Sequence, residues 1–241
     1  MSNFFRVGAL QLPHFSSLPS VWAEDCVLCL APAGEGLVCP ECRARLPAAR
    51  RACPGCALAT AADGLCAGCR TRPFAFDAAL ARFEYRFPVD RLVQRFKYAG
   101  DLAVGRWLAD ELAMRVGPEP RPDLLVAPPL APARLRERGF NQALEVARQI
   151  GRRIGVRTSA TGLRRLRETP PQEGLTRRER RANLRGAFGC DLALGGAHVA
   201  IVDDVVTTGA TADALARVLK ARGAGHVAVW ALARAPEPAE R

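Results

Sequence analysis

The chain has 241 residues, of which 49% are apolar and 24% charged, a composition that excludes a disordered protein and can fill one large or two small cores. No apolar run approaches the eighteen or more residues of a membrane span, and Arg6, Gln11 and Pro13 interrupt the start before a signal core develops, so we expect a cytoplasmic protein. The net charge of +11 favours a polyanionic partner or substrate.

Residues 1–22 are predicted to form an N-terminal extension, and residues 23–72 a cysteine-rich module. Eight of the nine cysteines occur in four Cys-x-x-Cys pairs, whose two-residue gaps let both thiolates turn onto one tetrahedral metal. Nine residues separate the pairs within each half, and the whole arrangement repeats after 27 residues. The pattern predicts a double zinc ribbon holding two structural zinc ions, with the ligands Cys26, Cys29, Cys39, Cys42, Cys53, Cys56, Cys66 and Cys69.

Disulfides and redox-active dithiols are alternatives to zinc, disfavoured by the expected compartment and by the metal-like spacing. The pairs can be grouped consecutively or in a cross-brace that joins the first pair with the third. Consecutive grouping is favoured because it closes the shortest loops and follows the internal repeat. Four thiolates leave no position on the metal for a catalytic water, so we expect zinc to stabilise the fold of this module.

Residues 73–241 are predicted to form an α/β domain. Buried strands are expected at 77–85, 124–127 and 198–202, and helices at 87–98, 101–116, 140–154 and 212–222. Because strands alternate with amphipathic helices along the chain, the domain is expected to contain a parallel sheet.

The segment from Ile201 to Thr211, IVDDVVTTGAT, predicts a phosphate site at the end of a strand. In open α/β sheets, ligands bind at the carboxyl ends of the strands, where a small-residue loop before a helix offers free backbone N–H groups. The segment does not match a P-loop, because no Gly-Lys-Ser/Thr follows the loop. The expected phosphate cradle consists of Thr207, Thr208, Gly209, Ala210 and Thr211.

Asp203 and Asp204 precede this loop and are the candidate catalytic residues. On an extended backbone they point to opposite sides, so at least one should meet a ligand bound over the loop. Paired carboxylates suit two ribose hydroxyls, or a Mg²⁺ ion that keeps several waters beside a substrate phosphate. The simpler alternative is a single Asp that caps the following helix, but a cap does not require the full pattern.

Two arginine-rich segments are expected to border the phosphate site. The planar guanidinium group binds two phosphate oxygens at once, so these segments could clamp pyrophosphate or follow the backbone of single-stranded DNA. The candidate residues are Arg134, Arg138, Asn141, Gln142, Arg177, Arg178, Arg180 and Arg181. Two alternatives stay open: residues 176–184 could be a solvated helical face, and the two amides could cap the helix that follows them.

The acidic pair and the hydroxyl-rich loop resemble the phosphoribosyl pyrophosphate (PRPP) motif of type I phosphoribosyltransferases. FKYAGD at 96–101, RGFNQ at 138–142, TPPQ at 169–172 and the cysteine pairs follow the order found in the ComF family, including ComFC and GntX. This resemblance implies a type I phosphoribosyltransferase-like parallel sheet over residues 73–241, preceded by the double zinc ribbon. It also implies that Asp203 and Asp204 hold the ribose hydroxyls, that residues 207–211 hold the 5′-phosphate, and that Mg²⁺ neutralises the departing pyrophosphate.

Three functions are compatible with the resemblance. The first is a competence protein that binds Mg-PRPP and single-stranded DNA and assists DNA internalisation in natural transformation, with proteins of the DNA-uptake machinery as further partners. The second is an active phosphoribosyltransferase that transfers a pentosyl group in nucleotide or cofactor salvage. The third is a regulator that senses PRPP and binds nucleic acid. The first is favoured because the sequence contains no obvious base-recognition hood.

Overall fold

The computed structural model describes residues 25–34, 36–167 and 183–236. The chain divides after Arg43 into two compact units. The first unit carries the first two Cys-x-x-Cys pairs, and the second carries the other two pairs together with the parallel sheet. The segment expected to be one cysteine-rich module, residues 23–72, therefore extends over both units, and its boundaries stay predictions.

The described residues before residue 73 contain two helices of five residues each, and all the strands and longer helices follow residue 73. The helices are α1 Pro40–Ala44, α2 Ala67–Thr71, α3 Val89–Tyr98, α4 Leu102–Val116, α5 Pro132–Arg138, α6 Gln142–Ile154 and α7 Ala210–Ala221. The strands are β1 Ala78–Glu84, β2 Leu124–Val126, β3 Thr158–Ser159, β4 Leu163–Arg165, β5 Phe188–Cys190, β6 His198–Val206 and β7 His226–Arg234.

Five strands form a parallel sheet in the order β1-β7-β6-β2-β3, while β4 and β5 form a separate antiparallel pair. Strands β6 and β7 are nearly continuous apolar runs, and β7 is buried from its second residue to its last. Such runs are typical of parallel strands covered on both faces. The predicted fold class, α/β with a parallel sheet and two four-cysteine groups near the N-terminus, is confirmed.

Alternate side chains of the central strands enter two hydrophobic layers. On one face, Val199 and Ile201 of β6 pack in one core with Leu215 and Leu219 of α7. On the other face, α4 packs against β1 and β7, and α6 packs against β2, β3 and β6. The sheet is thereby held between helices, and the carboxyl end of β6 leads directly into the loop before α7.

The boundaries of two elements differ from the sequence prediction in ways that affect the site. Strand β6 continues four residues beyond the predicted end at 202, so the acidic pair lies within the strand rather than after it. The arginine-rich segment after β2 contains a helix, α5, that was not among the predicted elements, and Pro132 in its first turn and the left-handed Gly139 bound this short helical run. None of the helices in the described parts of the chain is both long and apolar enough to cross a bilayer.

Candidate functional site

The acidic pair lies near the carboxyl end of β6, and both side chains are partly exposed. Asp204 forms an ion pair with Lys97, the penultimate residue of α3, with Oδ2 and Nζ 2.9 Å apart. The exposed fractions of these two side chains are only 15% and 16%, so the pair is largely shielded from solvent. The sequence motif FKYAGD thus contributes a lysine that pairs with Asp204.

Asp203 is the acid whose ionisation is most perturbed. Burial and the adjacent charge of Asp204 raise the pKa of Asp203 to about 7, against the opposing effects of Lys97 and of the Asp204 peptide N–H. That N–H donates to Asp203 Oδ1 at 2.9 Å. Two carboxylates in one partly buried site repel each other, so a cation or a set of hydrogen-bond donors would favour the doubly ionised pair.

The predicted phosphate loop follows directly and forms a small depression of about 20 Å³, lined by Asp203 and by residues 205–212. Gly209 adopts a left-handed conformation (φ +76°) as the residue before α7, which a side chain would strain. Its carbonyl accepts from the Asp213 N–H at 2.8 Å and so starts the twelve-residue helix. The loop therefore stands at the amino end of a helix and beside the acidic pair, as the motif predicts. Its role in binding phosphate stays a prediction.

Some residues of the first arginine-rich segment connect to the acidic pair through α3. Gln142 donates from Nε2 to the Lys97 carbonyl at 3.4 Å and accepts from Arg138 Nη1 at 3.3 Å. The Arg138 guanidinium lies over the Tyr98 ring, 5.1 Å from its centroid. Arg138 and Gln142 are therefore linked to Lys97 and through it to Asp204.

Asn141 and Arg134 are placed differently. Asn141 caps α6, because its side-chain oxygen accepts from the Leu144 N–H at 3.3 Å while its amide donates to the Pro128 carbonyl at 2.9 Å. The capping alternative thus holds for Asn141, and a pyrophosphate role for it stays a prediction. Arg134 is exposed on α5. The other four candidates, Arg177, Arg178, Arg180 and Arg181, lie outside the described residues.

The eight paired cysteines form two groups, which follow the chain in consecutive order. Within each group all four sulfur atoms lie within 4.8 Å of one another, so the consecutive grouping is confirmed. The sulfurs of Cys29 and Cys39 are 3.8 Å apart, and those of the matching Cys56 and Cys66 are 3.7 Å apart. Four sulfurs bound tetrahedrally at about 2.3 Å from zinc would be separated by about 3.8 Å. Both groups therefore fit a zinc ion, and all nine cysteines are free thiols.

The electrostatics of these groups agree with metal binding. Burial opposes ionisation of Cys26, but peptide N–H donors, with that of Cys39 the strongest, lower its pKa to about 6. Burial opposes ionisation of Cys53 as well, and the N–H groups of Cys66 and Gly55 lower its pKa to about 7. In contrast, neighbouring sulfurs raise the pKa of Cys42 to about 12. One thiolate forms readily in each group, whereas ionisation of Cys42 requires a positive charge at the centre of its group.

Sequence reasoning missed Arg234, which ends β7 and is only 4% exposed. Its Nε donates to the carbonyl of Cys56 at 2.9 Å, and its Nη1 donates to the carbonyls of Val206, at 3.2 Å, and Thr207. It therefore joins one cysteine group to the beginning of the phosphate loop. The signal in the sequence was a single charge at the carboxyl end of an otherwise apolar strand.

A larger cavity, of about 330 Å³, lies at the opposite, amino-terminal edge of the sheet. It is lined by the first residues of β1 and β7, by His198 and His226, and by Arg50 and Arg115. The His198 and His226 rings meet edge to face, with centroids 4.5 Å apart. The depression beside the acidic pair, at the carboxyl ends of the strands, is thus smaller than the cavity at their amino ends.

The chain is similar to curated proteins that bear names related to DNA use. It is 33% identical over 204 residues to "DNA utilization protein YhgH" from Salmonella typhi, a match that covers 82% of this chain and 90% of the relative. It is 31% identical over 179 residues to "Competence protein F" from Haemophilus influenzae, which covers 70% of this chain and 78% of the relative. No protein-family model matches the chain.

Among solved structures, the chain is similar to a purine phosphoribosyltransferase from Pyrococcus horikoshii Ot3, with 18% identity, a TM-score of 0.32, and coverage of 56% of this chain and 87% of that one. The sequence relationships extend over most of both chains. The chain therefore belongs to the ComF family.

Proposed function

We propose that this protein binds Mg-PRPP at the carboxyl end of β6 and single-stranded DNA through its arginine-rich segments, and that it assists DNA internalisation in natural transformation. The observation that carries the first part is the continuous placement of Asp203, Asp204 and the loop 207–211 before the amino end of α7. The second part is supported by the names of the relatives, which concern DNA utilization and competence, and by the net charge of +11.

In this proposal, different residues of the protein bind different parts of the PRPP molecule. Asp203 and Asp204 accept from the ribose hydroxyls, while the N–H groups and hydroxyls of residues 207–211 donate to the 5′-phosphate. Lys97 offsets the negative charge of the pair when no cation is present, because its ammonium group contacts Asp204 at 2.9 Å. The carboxylate oxygens are also ligands of the kind that Mg²⁺ prefers, and Mg²⁺ supplies charge neutralisation at the pyrophosphate when it is bound.

Calorimetry with PRPP and inorganic phosphate tests the division of roles. The double variant Asp203→Asn and Asp204→Asn should lose at least about 100-fold in PRPP affinity, since charge-assisted hydrogen bonds each contribute about 1.5 to 3 kcal/mol. Its affinity for inorganic phosphate should be unchanged, because the loop is intact. Asp191→Asn, which alters an exposed aspartate paired with Arg164, is the matched control. Wild-type PRPP affinity in the double variant would contradict the assignment.

The salt dependence of binding tests the DNA role. Each neutralised phosphate of a single strand contributes a slope of about −0.7 to log affinity against log salt concentration, so replacing four contacting arginines should reduce the slope by up to about 3. The test variant changes Arg177, Arg178, Arg180 and Arg181 to glutamine. The control removes four positive charges from exposed positions of α6 and the residues after it, by changing Arg148, Arg152, Arg153 and Arg157 to glutamine. Equal slopes in the two variants would reduce the effect to net charge and overturn the assignment to this segment.

A screen for pyrophosphate release across nucleobases separates this function from salvage. A DNA-binding competence protein that uses PRPP as a ligand should release no pyrophosphate with any base, whereas an active transferase should release it with one. Steady release that depends on Asp203 would move the enzyme interpretation ahead.

A further inference from the structure

The guanidinium group of Arg234 connects two regions that the motifs treat separately. One is the second four-cysteine group, at Cys53, Cys56, Cys66 and Cys69, and the other is the phosphate loop at residues 207–211. Arg234 is 4% exposed, and a charge so far from water must be satisfied by hydrogen bonds. Its donors reach the carbonyl of Cys56 on one side and those of Val206 and Thr207 on the other.

Phe74 makes a second connection between the same two regions. Its side chain packs against the apolar cluster formed by Cys53, Cys56 and Cys69. The same ring covers Gly209, where an added Cβ would lie 2.9 Å from Phe74 Cε1. Gly209 therefore has two reasons to be glycine, its left-handed φ and the ring above it, and the second depends on where the cysteine group places Phe74.

The backbone next to Phe74 makes the third connection. The Ala75 N–H donates to Asp213 Oδ1 at 2.7 Å. Asp213 is 3% exposed and lies in the first turn of α7, where its own N–H bonds the Gly209 carbonyl at 2.8 Å. The chain that leaves the second cysteine group thus holds the helix that the phosphate loop begins.

The position of the Cys56 carbonyl depends on the turn that the metal closes. In that turn the Ala57 N–H donates to the Cys53 carbonyl at 2.7 Å, and Ala57 has a left-handed φ of +59° although it is not glycine. A metal bound to all four sulfurs would close this turn, and without it only hydrogen bonds such as this one would hold the turn. Losing the metal would release the Cys56 carbonyl from its place opposite Arg234.

We propose that Arg234 is a positioning residue through which the metal at the second cysteine group sets the geometry of the phosphate loop, so that phosphate and PRPP affinity depend on that metal. This rests on the proposed function for the ligand, but the coupling itself is a property of the ligand-free chain. Lysine cannot substitute at this position, because one ammonium group cannot reproduce a planar fork aimed at carbonyls on two sides.

The test compares Arg234→Lys with Arg82→Lys in the full chain. Arg82 lies on β1, the strand next to β7, and binds Glu111 of α4 through Nε and Nη2 at 3.0 and 2.7 Å, so it is a matched arginine with a different partner. The first readout is hydrogen exchange of the Asp213 and Ala235 amides, which bond the carbonyls of Gly209 and Val206 at 2.8 and 2.9 Å. The second is calorimetry with inorganic phosphate and PRPP, and the third is zinc content.

Arg234→Lys should keep both zinc ions, exchange these amides at least about tenfold faster, and bind phosphate about tenfold more weakly, whereas Arg82→Lys should match the wild type. Wild-type exchange in Arg234→Lys would overturn the coupling. If the wild type binds neither phosphate nor PRPP while Arg234→Lys still exchanges faster, the proposed function fails and the coupling stands.

Two further variants keep the proposal testable if Arg234→Lys does not fold. Phe74→Leu retains an apolar contact with the cysteines but removes the ring over Gly209, and it should accelerate exchange of the Asp213 amide with zinc content unchanged. Cys66→Ser should lose one zinc ion and accelerate exchange of both amides. Unchanged exchange in these two variants would contradict the proposal as directly as it would in Arg234→Lys.

Discussion

The two four-cysteine groups have the same internal geometry and different surroundings. In the first, the Cys39 N–H donates to Cys26 Sγ at 3.3 Å, and in the second the Cys66 N–H donates to Cys53 Sγ at 3.2 Å. The residue that follows the second cysteine of each group has a left-handed φ, +64° at Leu30 and +59° at Ala57. The local sequence therefore builds the same metal turn twice.

Their surroundings differ at matched positions. Leu30 is 76% exposed, whereas Ala57 is 2% exposed and packs in the same core as Val229 of β7 and Leu215 of α7. The first group lies in the compact unit that ends at Arg43, and the second lies in the unit that contains the sheet. The comparison teaches that cysteine spacing determines the local geometry of a metal site, while the packing around the site determines which other parts of the protein depend on the metal.

The most severe test of this comparison is to remove one metal at a time. Cys53→Ser should lower the free energy of unfolding of the sheet-containing unit by about 4 kcal/mol, because the cysteine group next to its core would lose its metal. This loss corresponds to roughly a 10 °C decrease in Tm. Cys26→Ser should also lose one zinc ion but leave the main unfolding transition in place. Zinc content together with thermal unfolding followed by far-ultraviolet circular dichroism measures both effects. Equal decreases in Tm in the two variants would indicate that residues 23–72 form a single zinc module, as predicted from the sequence.

A second test uses the reciprocity of binding equilibria. If metal at the second group favours PRPP, then PRPP must favour metal at that group by the same factor, which is typically about 5- to 150-fold for coupled sites. In Cys26→Ser, where the second group keeps its metal, saturating PRPP should raise zinc affinity by a factor in this range. In Cys53→Ser, where only the first group is intact, it should not. Competition with a chromophoric chelator measures each affinity, and equal protection of both groups would remove the distinction between them.

The features that could be predicted from the sequence are those formed by residues close together in the chain. Each of these features occupies a short stretch of the sequence: the two cysteine groups, the acidic pair and the phosphate loop. The apolar periodicity of β6 and α7 is equally local. Local spacing sets local geometry, so these features could be predicted without the fold. The same holds for the parallel sheet, which follows from the alternation of strands and helices.

The contacts that connect these features could not be predicted in this way. Arg234 bonds the carbonyl of Cys56, which lies 178 residues earlier in the chain, and Lys97 reaches Asp204 from a helix on a different part of the sequence. Each is an ordinary basic residue near the end of an element, and the pattern around it is equally typical of solvent exposure. Only the strand order, which places β7 between β1 and β6, brings the end of β7 to the loop.

We expect protonation of Asp203 to affect the proposed PRPP binding independently of both cysteine groups. Burial and the charge of Asp204 raise the pKa of Asp203 to about 7, above its ordinary value of 3.8. Between these two values the folded protein holds a proton that the unfolded chain has lost, so this group favours folding at low pH, and its contribution is lost as the pH rises to about 7. If the ionised pair accepts from the ribose hydroxyls, as proposed, PRPP binding should have the opposite dependence on pH, because the proton must leave.

We therefore expect PRPP affinity to fall about tenfold from pH 8 to pH 6, while the contribution of Asp203 to the stability of the ligand-free chain increases over the same interval. In Asp203→Asn both dependences on pH should flatten, since the amide does not titrate in this range. Calorimetry at a series of pH values, with zinc content measured in the same samples, separates this effect from metal loss, because the low-pKa thiols Cys26 and Cys53 begin to bind protons in the same range. Retention of two zinc ions at pH 6 together with weaker PRPP binding would assign the effect to Asp203. A parallel loss of zinc and of affinity in Asp203→Asn would assign it instead to the second cysteine group and to the contacts of Arg234.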